Sequence, residues 1–175
     1  MSYPLGDLGP CELKFGDTTL SENARVTFRT SDDVAPHRTA RTGTAPKDEV
    51  YTGKSCEVEA VLVECSLVEL AAIIPGASVD GNELMVATNV GTNARSIADE
   101  LVIKKIEDGV ASADETKWLT IFVAAPIPDI EQVYDAETDR EVAKVIFRGY
   151  PVSSVPSGET YEANDLFAIG YGQTA

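Results

Sequence analysis

Residues 56–63 read CEVEAVLV, and this strict alternation limits the possible folds more than any other feature of the chain. Successive side chains of a strand point to opposite faces, so Cys56, Val58, Ala60 and Leu62 share one face while Glu57, Glu59, Val61 and Val63 share the other. A helix would scatter both sets around its axis. The first face is wholly apolar and belongs in a core. The second begins acidic and turns apolar, so part of it meets water and part meets another surface.

The period changes immediately afterwards. In ECSLVELAAIIPGA, residues 64–77, Ser66 and Glu69 have the S-x-x-E spacing of a capping box, in which each side chain satisfies a backbone N–H at a helix start. Leu67, Leu70, Ala71 and Ile74 fit one helical face, and Pro75-Gly76 ends it. About two helical turns are not stable alone in water. The helix is therefore expected to pack on a sheet.

The remaining segments return to strand character. Cys11–Phe15 and Ala24–Thr30 flank a Gly16-Asp17 turn, and in the second Val26 and Phe28 alternate with Arg25, Thr27 and Arg29. Residues 32–53 are rich in Pro, Gly, Thr and charge without periodicity. They exceed a hairpin turn of about 2 to 5 residues, so a long functional loop is expected. ELMVATNV, ADELVIKKI, KWLTIFVAAP, EVAKVIFRGYPV and DLFAIGYG follow as short strands between polar turns, with IPDIEQVYD as a helical turn or irregular segment. The pattern predicts a mainly β fold, an antiparallel β-sandwich or barrel with one short flanking α-helix. Residues 11–172 form one domain between an N-terminal arm, 1–10, and a C-terminal tail, 173–175. With 175 residues, 43% of them hydrophobic, the chain can build one sizeable core.

Charge and chemistry narrow the function. A net charge of -15 repels polyanions and argues against a conventional nucleic-acid-binding surface. Cys11, Cys56 and Cys65 are odd in number and widely spaced, and the one histidine, His37, lies in the polar segment, which supports neither a disulfide framework nor a zinc site. No P-loop, G-x-G-x-x-G, G-x-S-x-G or H-E-x-x-H occurs. No catalytic, cofactor-binding or metal-binding set is therefore assigned, and the chain is expected not to be an enzyme. No apolar run reaches the roughly 18 to 20 residues of a membrane helix. The opening MSYPLGDLGP lacks the basic and apolar regions of a secretory signal. Arg25, Arg29, Arg38 and Arg41 bunch together in this acidic chain. They are either ordinary surface charge or a cationic patch that meets an acidic surface on another copy.

In their order these features resemble the major tail tube proteins of long-tailed bacteriophages. The resemblance spans residues 10 to 172 and rests on TGKSCEVEAVLVECSLVELAAIIPGA and on IFVAAP, KVIFRGYP and LFAIG. It implies a structural virion protein of the phage tail, assembled in the bacterial host cytoplasm. Six-membered rings would stack into a tube whose electronegative lumen passes DNA at ejection without specific binding. The long loop would reach a neighbouring subunit or the next ring, placing Arg38 and Arg41 at that contact. Arg25 and Arg29, on the strand before it, would complete the cationic patch toward another copy, with Glu57 and Glu59 facing the lumen. Implied partners are further copies of the chain, a tape-measure protein, a tail terminator and baseplate or tip proteins, with no membrane and no cofactor. The alternatives are a tail terminator, another tube-like tail or secretion-system component, and a monomeric capsid-decoration β-sandwich.

Overall fold

A computed structural model describes residues 10–38, 47–63, 65–88, 90–130, 141–157 and 159–170. Ten strands and one α-helix follow in the order β1 (Cys11–Phe15), β2 (Thr18–His37), β3 (Asp48–Val63), α1 (Leu67–Ile73), β4 (Ala77–Asp80), β5 (Glu83–Val86), β6 (Asp99–Glu107), β7 (Val110–Ala111), β8 (Leu119–Asp129), β9 (Glu141–Gly149) and β10 (Phe167–Ile169). The mainly β expectation holds, with one α-helix among the described residues beside a large antiparallel sheet. The expected terminal segments other than Pro10, together with Arg41 and residues 131–135 of IPDIEQVYD, lie outside the described residues.

The large sheet closes on itself. β8 pairs with β9, β9 with β3, β3 with β2, β2 with β1, β1 with β6, and β6 again with β8. Every pairing is antiparallel, so the circuit is a six-stranded barrel with β10 added beside the start of β8. A barrel this small is filled by its inward side chains. Leu13, Leu20, Val58, Ala60, Leu62, Leu101, Ile121, Val145 and Phe147 are fully buried. Phe15 and Phe147 meet with ring centroids 5.3 Å apart. The alternation in β3 decides this arrangement: Cys56, Val58, Ala60 and Leu62 all lie in the core cluster.

The β1–β2 connection turns at Gly16, whose φ of +53° is costly for other residues, and where an added Cβ would strike the Asp99 carboxylate. The capping box forms as expected. Ser66 N donates to Glu69 Oε2 at 2.6 Å, and Glu69 N donates to Ser66 Oγ at 3.3 Å. The buried helical face differs from the expected one. Leu67 is 38% exposed, while Leu70 and Ile73 enter the core. The helix is only seven residues long, so Ile74 already stands in extended C-cap geometry. The i, i+3 pair Leu70 and Ile73 then faces the barrel, and Ile74 packs from outside the helix.

The expected loop over residues 32–53 is a further correction. Residues 32–37 and 48–53 are strand, continuing β2 and β3 outward from the barrel. Strands exposed on both faces need no apolar alternation. Their composition therefore reads as loop although their backbones pair along the ladder, apart from one bulge at Thr52.

Candidate functional site

The outer face of the β2–β3–β9 sheet gathers most of the residues singled out by sequence. Register places Arg29, Glu57 and Arg148 in one row, Thr27, Glu59 and Ile146 in the next, and Arg25, Val61 and Lys144 in the third. Asp129 of β8 pairs with Lys144 and extends the third row. Arg29 Nη1 donates to Glu59 Oε2 at 2.9 Å and lies 3.9 Å from Glu57. Lys144 Nζ is 2.8 Å from Glu59, and Arg148 Nε is 3.8 Å from Glu57. The Lys144 ammonium and then the Arg29 guanidinium hold the Glu59 carboxyl below its ordinary value, and Glu59 raises Lys144 in return.

Arg25 and Arg29, expected at contacts between copies, thus share a face with Glu57 and Glu59, expected to line a lumen. That face is not an acidic wall. Arg25, Arg29, Lys144 and Arg148 oppose Glu57, Glu59 and Asp129, so four positive groups face three negative ones. The overlooked partners are Lys144 and Arg148. A visible signal existed, since KVIFR repeats the charged-apolar alternation of RVTFR in β2.

The second feature is the paired extension of β2 and β3. β1 leaves β2 at Ala24, and β9 leaves β3 at Glu57. Beyond those points, Thr30 to His37 pair only with Asp48 to Cys56 among the described residues. This ribbon projects about 25 Å at strand rise. Thr52 is an extra residue between the pairs Asp33–Gly53 and Val34–Tyr51, and its hydroxyl donates to Asp33 O at 3.1 Å. Such a bulge bends and twists the ribbon. Asp32 and Lys54 bridge across its base at 3.2 Å. Every ribbon residue beyond Cys56 is exposed, including Val34, Val50 and Tyr51, the last at 76%. Arg38 follows the last strand residue and has no ion-pair partner among the described residues. His37 pairs with Asp48 on the ladder and does not join a catalytic group.

The other titratable groups serve the fold. Lys104 binds Glu12 at 3.0 Å across the β1–β6 pair and lies 4.7 Å from the Trp118 ring centroid. Trp118 Nε1 donates to Ser112 O at 2.7 Å, and Lys117 holds Glu107 at 2.8 Å. Burial and then the nearby Glu159 charge push the Glu100 carboxyl up. Cys11, Cys56 and Cys65 are thiols, and burial raises Cys56 and Cys65 to about 11. Among the described residues no group of three or more His, Cys, Asp or Glu could hold a metal ion, and no helix is long and apolar enough to cross a membrane. Comparison of the chain with protein-family models, characterised proteins and solved structures finds no match.

Proposed function

We propose that this chain is a self-assembling structural subunit of the tail-tube kind, and that it is not an enzyme. The ribbon carries the reading. An isolated two-stranded hairpin is marginal in water, yet this one is long, exposed on both faces, and bears Val34, Val50 and Tyr51. Its outer edges, β2 from Arg25 and β3 up to Cys56, have no strand partner among the described residues. Native sheets normally protect such edges. A ribbon that reaches into a neighbouring copy gains both backbone pairing and apolar cover. Arg38 then lies at or near that contact, and Arg41 falls outside the described residues.

If the outer face of β2, β3 and β9 looks into a tube lumen, its paired charges suit DNA passage in a modified sense. Arg29, Lys144 and Arg148 are already engaged by carboxylates, so they offer phosphate little unopposed charge. Low adhesion then comes from neutralised cations on the wall, with the net charge of -15 repelling phosphate at longer range.

Negative-stain microscopy and sedimentation velocity over rising concentration test the reading. Uniform hollow tubes are expected, and Arg38→Glu with Arg41→Glu should suppress them. Single rings that never stack favour a terminator. Persistent monomers at high concentration overturn the assembly reading and favour a decoration module.

A further inference from the structure

We propose that the ribbon seats on the α1–β4–β5 flank of the adjacent copy; this rests on the self-assembly reading above and names the receiving surface. Two observations carry it. First, the flank is the other concentration of exposed apolar surface. Val68 of α1 is 62% exposed, and Met85 and Val86 of β5 are 50% and 58% exposed. β4 and β5 form a separate two-stranded sheet, and α1 packs directly against both strands. This flank is anchored to the barrel through Leu70, Ile73 and Leu84, so its outer residues are held on a firm base and remain uncovered.

Second, the charges are complementary. Residues 66–88 contain no Lys or Arg and carry Glu69, Asp80 and Glu83. At the ribbon end, Lys47 N donates to His37 O at 2.9 Å, which brings Arg38 and Lys47 close together beyond the last ladder pair. Neither has an ion-pair partner among the described residues, and no acidic residue separates them in the sequence; Asp48 and Glu49 follow directly on β3, so the positive charge is confined to the tip. Val34 and Tyr51, a ladder pair on one ribbon face, supply the apolar contact, and the two cations beyond them meet the acidic rim. Opposite signs at the rim fix register, while the apolar centre supplies the attraction. The two surfaces differ, so the contact is head to tail and each copy uses both.

A photo-crosslinking residue in place of Tyr51 tests the placement in full-length protein, with the linked peptides mapped by mass spectrometry. The links are expected within residues 67–88 of a second copy. A charge exchange supplies an independent readout. Arg38→Glu with Lys47→Glu, and Asp80→Lys with Glu83→Lys, should each raise the concentration needed for assembly by about tenfold, and the combination should largely restore it. All altered residues are exposed, and circular dichroism checks that each variant is folded. Assembly with crosslinks elsewhere, or with no rescue in the combined variant, overturns the receiving surface and leaves self-assembly standing. Wild-type protein that remains monomeric throughout overturns both.

Discussion

Gly149 closes β9 opposite Ala124, and its lack of a side chain leaves room for Cys56 of the neighbouring strand. An added Cβ would strike Cys56 Sγ and stand 3.1 Å from Ile121 Cγ2. Cys56 is 3% exposed and Ile121 is fully buried, so neither can swing into solvent. Gly149→Ala should cost about 2–3 kcal/mol by overpacking. Cys56→Ala removes the obstructing sulfur and should cost about 1–2 kcal/mol through lost burial. Together, the new methyl group occupies space the sulfur has vacated, and the double variant should lose about 1 kcal/mol or less. The coupling between the sites is then about 3 kcal/mol, well outside ordinary additivity. Urea unfolding of monomeric protein, followed through Trp118 fluorescence, measures all four corners of the cycle. For a chain of this length, Gly149→Ala should lower Tm by about 5–10 °C. A double variant that loses the full sum of the single effects would refute the steric argument.

Ser66→Ala removes the hydroxyl that receives Glu69 N and should destabilise the fold by about 0.5–2 kcal/mol, read as a lower urea midpoint at unchanged slope; an unchanged midpoint would show that the cap contributes nothing. The pH dependence should carry two opposed contributions. Glu100, raised above its ordinary 4.5 by burial, penalises the fold when ionised, so protonating it as pH falls through its raised value relieves the cost. Glu59 is held below 4.5 by Lys144 and Arg29, so its contribution is present above the unfolded value and lost as pH falls through the lower folded value. Glu59→Gln should therefore flatten the acid limb of stability against pH below 4.5, and a limb as steep as that of the wild type would discount the charge network.

The barrel was legible where burial imposes a period. CEVEAVLV could have only one apolar face, and that face became core. Ser66, Glu69 and Pro75-Gly76 likewise marked the helix limits, because caps and stops are local chemistry. The ribbon was hidden for the opposite reason. Asp32, Asp33 and Pro36 satisfy no buried face, so they carry no periodic signal, and their strand character comes from a partner thirteen or more positions away by pairs such as Pro36–Glu49 and Val34–Tyr51. The charge network was half legible. Arg29, Glu57 and Glu59 announced their faces by parity, but parity within one strand cannot say which strand lies alongside. Only the register of β9 brings Lys144 and Arg148 to the two glutamates.

Register and net charge together constrain how copies can meet. At a net charge of -15, two copies repel each other unless local surfaces overcome the mean field. The sheet face gathers four cations but spends three of them on its own carboxylates, so it is a poor candidate for attraction between copies. The ribbon instead separates its uncommitted cations from the acidic body by the length of two exposed strands. That distance exceeds the screening length of about 10 Å at 0.1 M salt. A neighbour approaching the ribbon tip therefore meets Arg38 and Lys47, with Asp48 and Glu49 just behind them, before it feels most of the acidic barrel. Moderate salt should weaken the general repulsion more than the close Arg38 and Lys47 contacts, because desolvated pairs are screened least. The same geometry leaves the apolar Val34 and Tyr51 behind the cations on one face, to be covered only once the register is set. Charge at the ribbon end then selects the orientation, and burial along the ribbon holds it.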